Sequence, residues 1–255
     1  MSLEMFKLDG KVALITGGAQ GLGLVMAEAL AGAGARIALT SRDRGKAAEA
    51  AQSITDATGV SAIGITADVT DTPQVNDMVQ KVIDEFGRID ILINNAGINI
   101  RKPIEQFADE DWDAVQNTNL KAPFLCSRAV AKQMKQQRYG RVINLSSMLG
   151  SVALPERSAY CSSKGGLLQL TKVLALEWAP YNITVNALCP GPMATPLNTV
   201  VMNNPEVNKT FVDNIPLGRW GNPEEIRGAV IFMASDASSF MTGSSIVIDG
   251  GWTAR

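Results

Sequence analysis

The sequence contains no histidine among its 255 residues. That absence excludes Ser-His-Asp and Cys-His nucleophilic catalysis, and every metal site that depends on imidazole ligands. Cysteine is nearly as scarce: Cys126, Cys161 and Cys189 are widely spaced, odd in number and form no CxxC pair. Neither a disulfide framework nor a zinc site is expected. Charge is also modest, with 19% charged residues, a formal net charge of -2 and no basic block. Nucleic acid and anionic membranes are therefore not expected as partners. No apolar run reaches the roughly 18–20 residues that span a bilayer. The first ten residues carry Glu4, Lys7 and Asp9 without the apolar core of a signal peptide, which predicts a cytoplasmic protein. The chemistry must come from Ser, Tyr, Lys, Arg, Asp, Glu or a bound cofactor.

What is present is apolar and regularly spaced. Hydrophobic residues make up 46% of the chain, enough for a sizeable core. Short aliphatic runs occur at Val12–Thr16, Arg36–Leu39, Ala62–Thr66, Ile89–Ile93, Arg141–Leu145, Ile183–Ala187 and Ser245–Ile248. Their near-continuous hydrophobicity suits strands covered on both faces of a parallel sheet. Helical periodicity fills the gaps, over Gly23–Ala33, Arg44–Thr58, Pro73–Phe86, Asp109–Gln136, Ala159–Ala179 and Pro223–Ser235. Strands alternating with helices predict right-handed crossovers and a doubly wound α/β sheet. No composition shift divides the chain, so residues 1–255 read as one domain. The stretch 191–219 lacks clear periodicity and holds Pro192, Pro196, Pro205 and Pro216, as expected of a substrate loop or lid.

The first strand runs into Thr16-Gly17-Gly18-Ala19-Gln20-Gly21-Leu22-Gly23 and then a helix. A Gly-rich turn there lets backbone N–H groups approach a pyrophosphate at the positive helix terminus. Gly17 is expected to permit the turn, Gly21 the close approach, and Gly23 the packing of helix on strand. Asp68 and Asn94-Asn95-Ala96-Gly97 end the third and fourth strands at the same carboxyl rim, where open α/β sheets bind ligands.

Tyr160 and Lys164 lie four apart in a predicted helix, hence on one face, and Ser147 ends the fifth strand. Carbonyl reduction needs a proton donor for the developing alkoxide and a hydrogen-bond donor that holds the oxygen. Tyrosine suits the first role and serine the second. A nearby lysine ammonium and a nicotinamide cation would lower the tyrosine pKa. Pro123 lies four residues after Asn119 in a predicted helix. Proline has no N–H, so the Asn119 carbonyl loses its partner, a kink is expected, and the carbonyl is left to bind water.

These elements together resemble the short-chain dehydrogenase/reductase family over essentially the whole chain. The matching residues are Thr16-Gly17-x-x-x-Gly21-x-Gly23, Asp68, Asn94-Asn95-Ala96-Gly97, Asn119, Ser147, Tyr160-x-x-x-Lys164 and Pro190-Gly191. The resemblance implies a Rossmann-like fold and hydride transfer between a nicotinamide cofactor and a carbonyl or alcohol carbon. It implies that Ser147 polarises the carbonyl, Tyr160 transfers the proton and Lys164 binds the ribose. Asn119 would hold a relay water. It further implies cofactor contacts from Gly17, Gln20, Gly21, Leu22, Gly23, Ser41, Arg42, Asp68, Val69, Asn95, Ala96, Gly97, Tyr160, Lys164, Pro190, Gly191 and Thr195.

Ser41 stands where relatives that prefer NAD carry Asp, and Arg42 suits a 2′-phosphate, so NADP(H) is expected over NAD(H). Asn99-Ile100-Arg101-Lys102-Pro103 resembles the corresponding stretch of sugar-acid dehydrogenases. Arg101 would anchor a carboxylate there, with Arg157 as a second candidate; both could equally be solvated surface residues. The expected substrate is a small carbonyl or alcohol compound of the gluconate kind. Two alternatives remain: a 3-oxoacyl-carrier-protein reductase, and a dinucleotide-binding protein without turnover. The complete Ser147, Tyr160, Lys164 and Asn119 set argues against the latter. The resemblance also implies a homotetramer paired through the Asp109–Gln136 and Ala159–Ala179 helices.

Overall fold

A computed structural model describes residues 3–254. The chain alternates strand and helix: β1 (Val12–Ile15), α1 (Gly21–Gly32), β2 (Arg36–Ser41), α2 (Arg44–Thr58), β3 (Ala62–Thr66), α3 (Thr72–Phe86) and β4 (Ile91–Asn94). It continues through α4 (Asp109–Gln116), α5 (Ala122–Gln137), β5 (Gly140–Leu145), α6 (Ser158–Trp178) and β6 (Ile183–Pro190). The end comprises α7 (Thr199–Met202), α8 (Pro205–Asp213), α9 (Arg227–Ala234) and β7 (Ser245–Ile248).

Among the described residues the seven strands are all parallel, in the order β3-β2-β1-β4-β5-β6-β7. Consecutive residues of β1 serve opposite faces. Val12 and Leu14 join one core with α3, α5 and α6, while Ala13 and Ile15 join the other with α1, α2 and α9. This double burial is why the strands read as unbroken apolar runs. The strand order reverses direction between β1 and β4, which opens a crevice at their carboxyl ends.

Several helix starts follow from side-chain caps. The carboxylates of Asp43 and Asp71 accept from the N–H groups of Lys46 and Gln74, and Gly59 and Gly87 end α2 and α3 in the left-handed region.

Two expectations change. The predicted 109–136 helix is broken into α4 and α5 by a π turn over Asn117–Lys121, in which the Ala122 N–H donates to the Asn117 carbonyl. Pro123 cannot donate to Asn119, and the helix widens by one residue instead of simply kinking. The aperiodic 191–219 stretch contains α7 and α8. Asn204 caps α8 by accepting from Val207, and Pro205 occupies its first turn. No helix among the described residues is long and apolar enough to cross a membrane.

Candidate active site

A cleft of about 920 Å³ follows the carboxyl rim of the sheet, from Arg42 and Asp68 at one end to Ser147, Tyr160 and Lys164 at the other. Its floor is the Gly-rich turn. Gly17 and Gly21 adopt φ of +62° and +56°, conformations that strain any residue with a Cβ. Gly17, Gln20, Gly21 and Leu22 line the cleft, but Gly23 does not. A Cβ on Gly23 would come within 2.4 Å of the Gly17 carbonyl oxygen and 2.5 Å of Asn95 Nδ2. Gly23 therefore packs the helix against the turn rather than against a strand. Gly18 had no role assigned from sequence, yet its Cβ would lie 2.7 Å from Leu39 Cβ.

The NNAG segment clamps this turn. Asn95 Nδ2 donates to the Thr16 and Gly17 carbonyls at 2.8 and 2.9 Å, and Thr16 Oγ1 accepts from the Asn95 and Ala96 N–H groups. Asn95 lines the cleft with Ala96 and Gly97, but its side-chain N–H groups are occupied in shaping the turn.

At the far end, Thr40, Ser41, Arg42, Asp68 and Val69 line the cleft, joined by Lys46, which sequence reasoning missed. Arg42 is exposed. Asp43, the adjacent acid, has its carboxylate turned to the α2 N-terminus. Asp68 Oδ1 accepts from the Thr70 hydroxyl and N–H at 2.7 and 2.9 Å, which holds its carboxyl below the usual range. Pro190, Gly191 and Thr195 also line the cleft. Gly191 is also required by packing, since its Cβ would sit 2.5 Å from Asp249 Cα.

At the chemical end, Ser147 Oγ accepts from the Leu149 N–H at 3.1 Å, leaving its hydroxyl to donate. Tyr160 and Lys164 share a face of α6, with Nζ 5.6 Å from the tyrosine ring centroid. The Nζ donates at 2.7 Å to the Leu145 carbonyl. Burial pushes the Lys164 ammonium down to about 8 and the Tyr160 phenol up to about 12. The Ser147 hydrogen bond and the Arg101 charge pull Tyr160 the other way, without overcoming burial. The expected lowering of the tyrosine pKa is thus not found in the protein alone, because burial of the phenol itself dominates.

Asn119 is fully buried behind the cleft. Its side chain accepts from the Ile98 N–H and donates to the Ile98 carbonyl, both at 2.9 Å, and donates to Ser163 Oγ at 3.1 Å. It thereby pins the segment after β4 to α6.

Arg101 and Arg157 do not line the cleft itself, and the solvated-surface alternative does not describe them. Burial lowers the pKa of both, and the Arg101 charge lowers Arg157 further, which places the two cations near one another. Arg101 Nη2 donates at 3.0 Å to Asn198 Oδ1, a cleft-lining residue. Arg157 donates to the Pro155 and Glu156 carbonyls and lies 3.8 Å from the Glu156 carboxylate. The cysteines are unpaired, and burial pushes the Cys126 thiol up to about 12.

A family model described as enoyl-(acyl carrier protein) reductase matches residues 17–253. The chain is 42% identical to a 2-dehydro-3-deoxy-D-gluconate 5-dehydrogenase of Dickeya dadantii over 100% of both proteins. It is 39% identical to a 3-oxoacyl-acyl-carrier-protein reductase of Thermotoga maritima, over 96% of this chain and 98% of that one. A solved gluconate 5-dehydrogenase from Burkholderia cenocepacia, in complex with NADP and tartrate, matches with a TM-score of 0.97 and 38% identity across 100% of both chains. Fold and relatives define an NAD(P)-dependent oxidoreductase that interconverts alcohol and ketone in a small molecule. The chain belongs to the short-chain dehydrogenase/reductase family.

The residues present fit a dinucleotide. The turn places two left-handed glycines, Gly17 and Gly21, on the cleft, and Gly97 lines it where a Cβ would come within 3.2 Å of Asn119 Oδ1 and 3.7 Å of Lys164 Nζ.

Proposed function

We propose that this enzyme oxidises and reduces a hydroxyl carbon of a small polyhydroxy carboxylate, of the gluconate or ketogluconate kind, with NADP(H) preferred over NAD(H). The observation that carries this reading is Arg101. Its half-buried guanidinium is oriented by a neutral amide, and no ion pair to it exists among the described residues. A carboxylate would supply that missing counter-charge, with positioning as the benefit. Asn99 Oδ1 and Ser158 Oγ, on the same two segments as the arginines, are buried side-chain oxygens without a protein partner among the described residues. Such atoms suit a ligand rich in hydroxyls. Gluconate and deoxygluconate chemistry in the relatives points the same way.

A bound nicotinamide would supply the hydride-transfer chemistry at the substrate carbon. The Ser147 hydroxyl donates to the substrate oxygen, and Tyr160 exchanges the proton at that oxygen. Lys164, buried beside Gly97, holds the ribose and supplies positive charge. Asn119, within the π turn, holds a relay water through its main-chain carbonyl. Arg42, with Lys46 beside it, binds the 2′-phosphate.

The working unit in this reading is a single 1–255 domain with 191–219 as its substrate-side cover, assembled as a cytoplasmic homotetramer. Exposed Trp112, Phe124, Val173 and Leu176 on α4, α5 and α6 support that assembly. The unpaired cysteines suit a reducing compartment.

The test is turnover of D-gluconate, 5-ketogluconate, neutral polyols and acetoacetyl thioesters with each cofactor. The Thermotoga relative favours a second reading, carrier-protein reduction. Good turnover of acetoacetyl thioesters with inert sugar acids would establish that one instead.

A further inference from the structure

We propose that Asn198 is the positioning residue for the carboxylate anchor: it aims Arg101 toward the acid end of the substrate without neutralising it. This rests on the sugar-acid reading above. The two residues are 97 positions apart in sequence, and their hydrogen bond joins the segment after β4 to the 191–219 cover.

The amide has only one orientation that satisfies its surroundings. Nδ2 donates to the Met193 carbonyl at 3.0 Å, so Oδ1 faces Arg101 and accepts from Nη2 at 3.0 Å. The backbone fixes the residue as well, since the Asn198 N–H donates to the Thr195 carbonyl at 2.9 Å. One guanidinium donor is used in this way, and the remaining donors of the fork are available for a bidentate partner.

The chemistry of the orienting group decides what the anchor can do. An aspartate at this position could still accept from Arg101, but it would lack the donor to the Met193 carbonyl, cancel the arginine's charge and compete with a substrate carboxylate. Asparagine provides an acceptor of the same shape with no charge. The neighbouring segment follows the opposite rule: Lys102 is ion-paired with Asp111, so its charge is neutralised and unavailable. Of these two adjacent cations, Arg101, whose side chain is held by a neutral amide, is left unneutralised. Because Asn198 also lines the cofactor cleft, Arg101 is fixed relative to the hydride-transfer position and not merely to its own loop.

The experiment compares kcat and KM for D-gluconate and for neutral sorbitol in the unmodified enzyme and in Asn198→Asp, Asn198→Ala, Asn198→Gln and Arg101→Ala. Thermal melts and NADP titration monitor folding. The acid-to-neutral ratio of kcat/KM is expected to fall about tenfold or more in Asn198→Asp, through KM for the acid. It should fall less in Asn198→Ala and recover partly in Asn198→Gln. A merely structural role would lower both substrates together and leave the ratio unchanged. An acid preference lost in Arg101→Ala but intact in folded Asn198→Asp and Asn198→Ala would overturn the role of Asn198 alone. Equal use of acid and polyol by the unmodified enzyme, or no sugar-acid turnover, would overturn the sugar-acid reading itself.

Discussion

Lys164 Nζ lies 5.6 Å from the Tyr160 ring centroid, yet its short hydrogen bond, 2.7 Å, goes to the Leu145 carbonyl at the end of β5. The catalytic helix is thus tied to the sheet through the lysine, and the tyrosine keeps its proton in the protein alone. Tyr160→Phe is expected to lower kcat at least about 100-fold, the lower range for lost acid–base catalysis. NADP affinity should persist. Lys164→Ala should impair both affinity and turnover. Steady-state kinetics with cofactor titration checks the split.

Burial of Lys164 also predicts how stability changes with pH. Its folded pKa of about 8 lies below its ordinary value of 10.5. Below about 8 both states are protonated and the full cost of a buried ammonium is present. Between about 8 and 10.5 the unfolded chain binds the extra proton, so stability contributed by this group rises with pH. Melting of the cofactor-free protein at pH 7.5 and 9.5, compared with Lys164→Met, should show that rise only with lysine present. Parallel melting curves would exclude it.

Arg42→Ala should weaken NADPH much more than NADH, because only the former carries a 2′-phosphate. Loss of a charge-assisted contact worth roughly 1.5–3 kcal/mol lowers the preference about tenfold or more. Lys46→Ala should move it in the same direction by a smaller amount. Equal affinity of the unmodified protein for both cofactors would remove the preference altogether.

Gly23→Ala tests the turn. A methyl 2.4 Å from the Gly17 carbonyl cannot be accommodated without moving the turn or Asn95. Dinucleotide binding is expected to fall about tenfold or more, with stability lowered by about 1–3 kcal/mol, the range for overpacking. Gly59→Ala offers a contrast, since its Cβ meets nothing and only the positive φ resists. It should reduce stability without changing cofactor affinity.

The sheet was legible because the inner strands β1, β4, β5 and β6 are buried on both faces, and α2 matched its predicted span, Arg44–Thr58, where Asp43 and Gly59 mark its ends. The catalytic side chains were legible because their spacing places Tyr160 and Lys164 on one helical face. Less visible were α7, only four residues with two β-branched valines, and α8, whose Asn204-Pro205 start lay inside a proline-rich stretch. The π turn was half visible: Pro123 announced a disturbance but not its form. The contacts that shape the site were not legible. Asn95 to Gly17, Asn119 to Ile98 and Arg101 to Asn198 depend on which loop meets which at the rim. The pKa directions of Tyr160 and Lys164 likewise depend on burial that spacing cannot express.

The most direct measurement is the effect of Arg101→Ala on KM for D-gluconate and for sorbitol, with NADP saturating. A carboxylate anchored by Arg101 predicts a KM for gluconate raised about tenfold or more, while that for sorbitol changes little. Equal changes in both, or an enzyme that turns over acetoacetyl thioesters while gluconate and ketogluconate are inert, would contradict the account.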